Sequence, residues 1–307
     1  MNNIYITGVN GFVGTNLKKY LDSKYNCIGI SRKKTVENNI FSYDDFLPNL
    51  KGDAIIHLAG KAHDTASTSS PEEYFNVNRD LTINIFKTFL ESDIKDFFYF
   101  SSVKAVADTV TGVLKEDVTG EPHTPYGKSK HEAEQYLLSQ VLPKGKRLFI
   151  IRPCMIHGPG NKGNLNLLYK VVEKGVPWPL AVFENQRSFL SIDNLCFLVN
   201  SLLENKGVKS GVYNFSDDET LSTNKLIYLM SQSLGRKPKL WRLNKGLIVK
   251  IACIGDRLKL PLNSERLKKL TESYVVSNDK IKFALGLEKL PVAAEEGLSV
   301  TLSSFRK

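Results

Sequence analysis

The chain has 307 residues, 42% of them hydrophobic and 24% charged, with a net charge of +10. That balance is close to the globular average and excludes wholesale disorder. No apolar run approaches the ~20 residues that cross a bilayer as a helix, and the length suits about two domains or one large α/β unit with an appendage.

The N-terminus enters a strand-like run at residues 4–7, without the basic and apolar regions of a secretory leader. A glycine-rich turn occupies residues 8–14, and apolar spacing predicts a helix over 12–22. Short apolar runs at 27–30 and 54–58 predict strands. Residues 74–90 predict a long helix, and 97–100 a strand. Residues 126–142 predict a helix that stops before Pro143, and 148–151 a strand that stops before Pro153. Strands alternating with helices predict an α/β fold, a doubly wound parallel sheet covered on both faces.

After Pro153 the texture changes. Pro and Gly cluster at 152–163 and 174–179, residues 212–215 predict one more sheet strand, and 220–234 and 247–260 predict helices. The expected division is a cofactor domain at 1–157, with returning segments at about 187–216. A smaller, mostly C-terminal substrate domain takes 158–186 and 217–307. Cys27, Cys154, Cys196 and Cys253 form no CxxC pair. That argues against a zinc site or a disulfide framework and fits a reducing, cytoplasmic setting.

Much of the positive charge lies between residues 236 and 269, where the acids are Asp256 and Glu265. A solvated basic face, or attraction for an anionic substrate, accounts for it better than nucleic acid does. Residues 247–262 mix apolar and basic side chains. Such a segment can touch a membrane surface; a packed helix of the smaller domain is the expectation.

Gly8, Gly11 and Gly14 form GxxGxxG between the first strand and the first helix. Glycines there permit a tight turn and let backbone N–H groups approach a pyrophosphate at the helix N-terminus. The end of the second strand reads the ribose: an acid suits NAD, whereas a neutral residue with an arginine suits the 2′-phosphate of NADP. Ser31-Arg32-Lys33-Lys34 carries no acid. NADP(H) is therefore favoured over NAD(H), with Ser31 and Arg32 at the phosphate.

Tyr126 and Lys130 form YxxxK and share one helical face. A phenol has an ordinary pKa near 10, which a neighbouring ammonium lowers. Such a tyrosine exchanges a proton with a carbonyl or alcohol oxygen. Ser101 and Ser102 end the strand before it, at the sheet edge where α/β ligands bind. Ser102 is the expected partner of the reacting oxygen, and Ser101 competes as a strand-end cap.

These residues, with His57-Leu58-Ala59-Gly60, Asn78 and Thr82, Arg152-Pro153 and His157-Gly158-Pro159-Gly160, resemble the extended short-chain dehydrogenase/reductase family. The closest group is the NAD-dependent epimerases and dehydratases of nucleotide sugars. The resemblance implies a Rossmann domain, a nucleotide-sugar domain, a homodimer and a Ser102/Tyr126/Lys130 triad. It implies cofactor contacts from Phe12, Val13, Leu58, Ala59, Gly60, Asn78 and Pro153 besides the glycines, Tyr126 and Lys130. Lys61 and His63 follow the Ala-Gly pair and face either substrate or solvent.

Ser101-Ser102-Val103-Lys104, residues 158–164 and Asn185-Gln186-Arg187-Ser188-Phe189 resemble bacterial polysaccharide enzymes acting at C4 of UDP-N-acetylhexosamine derivatives. That resemblance implies Arg187 at the diphosphate, with Asn164 and Arg266 near the nucleotide sugar. The expected reaction is NADPH-dependent reduction of a UDP-4-keto-6-deoxy-N-acetylhexosamine at C4. The alternative is a UDP-HexNAc 4-epimerase. A dehydratase is disfavoured because Val103-Lys104 replaces the acidic pair, and a non-catalytic nucleotide-binding protein is the reading from another class. No metal site is expected.

Overall fold

The computed structural model describes residues 3–32, 39–45, 50–62, 70–161, 163–258 and 263–306. In chain order the first half holds β1 (Asn3–Thr7), α1 (Phe12–Leu21), β2 (Asn26–Ser31), β3 (Ile40–Ser42), β4 (Ala54–His57) and α2 (Pro71–Phe75). It continues with α3 (Leu81–Glu91), β5 (Asp96–Phe100), β6 (Val113–Leu114), α4 (Pro125–Ser139) and β7 (Arg147–Pro153). Then come β8 (Met155–His157), α5 (Asn164–Glu173), β9 (Arg187–Ser191), α6 (Ile192–Glu204), β10 (Gly211–Phe215), β11 (Thr220–Leu221) and α7 (Thr223–Ser233). The chain closes with α8 (Lys245–Leu258), α9 (Ser264–Thr271), β12 (Val275–Val276), α10 (Asp279–Leu285) and α11 (Ala294–Ser304).

Seven strands form one sheet in the order β10-β7-β5-β4-β1-β2-β3. Every pairing in it is parallel. The order reverses between β1 and β4, the switch point at which open α/β sheets open a ligand crevice.

Side chains leave a strand alternately up and down, so each apolar run feeds two cores. Ile4, Ile6, Ile56 and Phe98 pack with Leu17 of α1 and Leu198 of α6. Tyr5, Ile55, Phe97 and Tyr99 pack with Phe86 of α3 and Leu137 of α4. Phe97 is fully buried between Phe86 and Phe89, and Phe97→Ala is expected to cost about 3–5 kcal/mol. A third core joins Leu165 and Tyr169 of α5, Phe189 of β9, Met230 of α7 and Leu298 of α11.

Several elements differ from the sequence expectation. The long helix over 74–90 is α2 and α3 joined by a five-residue π turn, Asn76–Asp80. Such turns carry no periodic signature and occur often at functional sites. Helix α4 stops at Ser139 because Ser139 Oγ and Gln140 Nε2 both donate to the Tyr136 carbonyl. Strand β7 includes Pro153: the ring lacks an N–H, and Cys154 N–H continues the ladder to the Phe215 carbonyl at 3.1 Å. Residues 220–221 are strand rather than helix, paired to β9. Ser222 then caps α7, accepting from Lys225 N–H. The expected helix over 247–260 is described from Lys245 to Leu258, and its last two positions lie outside the described residues.

Candidate active site

The site gathers where β1, β4 and β5 end together on one edge of the sheet. Gly8 follows β1 in the left-handed region at φ +68°, and a Cβ there would stand 2.8 Å from Ala59 N. A Cβ on Gly14 would stand 2.3 Å from the Gly8 carbonyl oxygen and 2.7 Å from Val9 Cα. Only glycine fits either position. Gly11 is the N-cap of α1; it supplies no side-chain cap, and the first turn holds no acid. The free N–H groups and positive dipole end are therefore left for an anion. Phe12 lies against Gly158, whose Cβ position is 3.3 Å from its ring, and Val13 is half-buried beside it.

After β4, Leu58 N–H extends the pairing to Thr7 O at 3.3 Å, and Ala59 N–H donates to Thr7 Oγ1 at 3.2 Å. Gly60 lies over Lys130: a Cβ there would be 3.1 Å from Lys130 Nζ. Asn78, fully buried on the π turn, accepts from Lys61 N–H at 2.7 Å and donates to the Lys61 carbonyl and to Ser129 Oγ, both at 3.0 Å. The π turn thus ties the β4 loop to α4.

Helix α4 begins with Thr124 as N-cap and Pro125 at its first position. This cap places Tyr126 and Lys130 one turn apart. Lys130 Nζ donates to Phe100 O at 2.7 Å and stands 4.8 Å from the Tyr99 ring centre. Ser102 Oγ accepts from Lys104 N–H at 3.1 Å, and its hydroxyl is near enough to the Tyr126 phenol to favour the ionised form. Ser101 Oγ is buried with no partner among the described residues, whereas Ser102 is the serine whose hydroxyl acts on the Tyr126 phenol. The Tyr74 ring meets Tyr126 edge-on at 6.5 Å.

Burial pushes the Tyr126 phenol above its ordinary pKa, and the Ser102 hydrogen bond opposes that. Burial also pulls Lys130 down to about 7, against the carboxylate of Glu134. The expected lowering of Tyr126 is therefore not seen. Loss of hydration dominates the phenol, and the Lys130 ammonium is committed to Phe100 O.

His57 is a site residue whose role sequence patterns did not reveal. Fully buried, it bonds Thr7 Oγ1 through Nδ1 at 2.7 Å and Thr82 Oγ1 through Nε2 at 2.9 Å. Thr82 Oγ1 donates its one proton to Asn78 O at 2.7 Å. It must accept from His57 Nε2–H, which leaves Nδ1 to accept from Thr7. Burial pulls the imidazole down to about 3. A neutral histidine with a fixed tautomer thus links the ends of β1 and β4 to the π turn.

The remaining expected residues are more dispersed. Arg32 is exposed just beyond β2, next to half-buried Ser31; residues 33–38 lie outside the described residues. Pro153 is buried at the end of β7, paired with Phe215. Lys61 pairs with Glu73, and His63 lies outside the described residues. Asn164 is exposed at the start of α5. Arg187 opens β9 and donates from Nη1 to Lys269 O of α9 at 2.8 Å. Exposed Arg266 stands one turn earlier on α9.

Lys104 is a second residue without a sequence-assigned role. Burial lowers the pKa of both Lys104 and Arg187; the charge of Arg187 adds to the shift of Lys104, and Asp108 and Glu272 oppose it. Lys104 Nζ donates to Asp108 O at 2.7 Å and sits 4.1 Å over the Tyr274 ring. Neither cation has an ion-pair partner among the described residues. A half-buried cation without an ion-pair partner suits an anionic ligand.

The glycine turn, the uncapped helix, and a lysine and phenol at one sheet edge fit a nicotinamide dinucleotide. The family model described as NAD dependent epimerase/dehydratase family matches residues 4–216. The chain belongs to that family. A UDP-glucose 4-epimerase of Vibrio cholerae is 32% identical over 98% of this chain and 95% of its own. An N-acetyl-alpha-D-glucosaminyl-diphospho-ditrans,octacis-undecaprenol 4-epimerase of Escherichia coli O157:H7 is 28% identical over 76% of this chain and 73% of its own. A GDP-6-deoxy-D-mannose reductase of Pseudomonas aeruginosa is 25% identical over 74% and 79%. Among solved structures, the UDP-glucose 4-epimerase of Thermotoga maritima with UDP-glucose superposes with a TM-score of 0.73 at 21% identity, covering 99% of this chain and 98% of that one. RMD of Pseudomonas aeruginosa complexed with NADPH gives 0.71 at 19% identity, covering 99% of each chain. The protein is thus an NAD(P)-dependent nucleotide-sugar enzyme of the epimerase and reductase kind.

Proposed function

We propose that the protein uses NADPH to reduce C4 of a UDP-4-keto-6-deoxy-N-acetylhexosamine. The end of β2 carries this reading: Arg32 is exposed there and no acid follows Ser31. An arginine fork suits a 2′-phosphate and a carboxylate repels it. NADPH is consumed and released in a reduction, whereas a 4-epimerase recycles bound NAD. The state of Tyr126 agrees. A phenol raised by burial stays protonated at neutral pH, the form that donates to a carbonyl oxygen.

A bound nicotinamide supplies the hydride to C4. Tyr126 delivers its phenolic proton to the C4 oxygen as negative charge develops there. Ser102 holds that oxygen through its hydroxyl. Lys130, fixed by Phe100 O beneath Gly60, regains its charge when an electron-rich oxygen comes near and steadies the Tyr126 phenolate left behind. Arg187, with Lys104, holds the sugar diphosphate, and Asn164 and Arg266 flank the nucleotide. Gly8, Gly11 and Gly14 cradle the cofactor pyrophosphate. UDP rather than GDP is favoured by a relative that matches nearly end to end, a UDP-glucose 4-epimerase, and by a neighbour solved with UDP-glucose.

The second reading, a UDP-HexNAc 4-epimerase with resident NAD, is favoured by the names of two relatives. Isotope transfer separates the two. With NADPH carrying deuterium at the transferred position, a reductase places the label on C4 of the product sugar. If UDP-N-acetylhexosamine epimers interconvert without uptake of label, the reductase reading is wrong.

A further inference from the structure

Helix α8 leaves an apolar stripe uncovered. Ile248, Ala252 and Gly255 face inward and are buried. At about 100° per residue, Leu247, Ile251, Ile254 and Leu258 fall on a single outward line. They are 52%, 41%, 52% and 65% exposed. The i, i+4, i+7, i+11 spacing makes the line continuous over three turns. Isolated exposed apolar residues are ordinary, but an aligned row of four is not.

Charge says what covers it. Residues 236–269 hold eleven Lys and Arg against Asp256 and Glu265, so this segment carries most of the chain's net +10. Both acids are occupied: Asp256 accepts from Ser264 Oγ and N–H, and Glu265 pairs with Lys269. Lys250 and Arg257 border the stripe, and neither they nor Lys268 make an ion pair among the described residues. A second copy laid on this stripe would bring like charges together. An anionic bilayer surface would take the apolar row into its headgroup boundary and pair its phosphates with the basic border.

We propose that α8 seats the protein on an anionic phospholipid surface. The proposal is independent of the reaction, because binding is read without substrate. The test is co-sedimentation of the full chain with vesicles of phosphatidylcholine alone or with about one-third phosphatidylglycerol. Binding is expected only to the anionic vesicles, with release at about 0.5 M salt, where exposed charges are screened. The variant I251Q/I254Q/L258Q is expected to weaken binding about tenfold and to leave the melting temperature and turnover unchanged. K250E/R257E is expected to weaken it as well. Absent binding to anionic vesicles, or binding indifferent to the apolar substitutions, overturns the proposal. So does a dimer in sedimentation velocity that I251Q/I254Q/L258Q dissociates, which would give the stripe to a second copy.

Discussion

The glycine turn with α4 and the surface around β9, α5 and α9 place their functional groups by opposite means. At the first, backbone geometry decides: Gly14 lies against the Gly8 carbonyl, and Lys130 is fixed by the Phe100 carbonyl. At the second, long side chains from separate elements meet, as Arg187 of β9 meets the carbonyl of Lys269 on α9. The first region holds its groups dry and nearly neutral. The second keeps many of its cations exposed. On the proposed function, the contrast teaches that rigid backbone would serve the part that aligns a hydride and a proton, while adjustable cations would serve the part that takes the diphosphate.

The two regions should fail differently. The largest effect is expected from Gly14→Val, since even a Cβ meets main-chain atoms that cannot yield. It should cost on the order of 3 kcal/mol or more and abolish cofactor binding, read by thermal melting and by nicotinamide fluorescence titration. Tyr126→Phe keeps the ring and removes the proton. Turnover should fall about a hundred- to ten-thousandfold, with cofactor affinity unchanged. A fully active variant would remove Tyr126 from the chemistry.

His57→Leu should cost about 2–4 kcal/mol, because it strands the buried hydroxyls of Thr7 and Thr82. His57 also sets an acid limit. Its pKa is about 3 folded against an ordinary 6.5, so between those values the unfolded chain binds more protons. Stability is therefore lost as pH falls through that window, and denaturant melts of the variant should lose that part of the slope.

Arg187→Met tests the other region. The substrate KM should rise about tenfold with little change in kcat, because a contact shared by ground and transition states is removed. Equal loss in kcat would place Arg187 nearer the reacting atoms than a diphosphate holder. A second pH effect concerns Lys130, about 7 folded against 10.5 ordinarily. The unfolded chain binds more protons between these values, so the cost of burying the ammonium shrinks as pH rises through them. Lys130→Met should flatten that rise in melts taken across the range.

The same contrast explains what the sequence made legible. GxxGxxG and YxxxK are local patterns whose spacing the backbone dictates, and the alternation of strand and helix runs made the doubly wound parallel sheet legible. The π turn at Asn78 was hidden because one wide turn leaves helical periodicity almost unchanged. The His57 relay was hidden because Thr7 and Thr82 stand 50 and 25 residues away in sequence. Arg187 reaches the Lys269 carbonyl from 82 residues away in sequence. The apolar and basic mixture of α8 was visible in the sequence, but its outward row emerged only when Ile248, Ala252 and Gly255 were seen to take the inward face.

The most direct measurement follows nicotinamide absorbance with NADPH and a UDP-4-keto-6-deoxy-N-acetylhexosamine, with NADH in parallel. The account predicts stoichiometric loss of NADPH, slower loss of NADH, and a product bearing a C4 hydroxyl. No loss with either cofactor, together with NAD retained on the purified protein and interconversion of UDP-N-acetylhexosamine epimers, would contradict it.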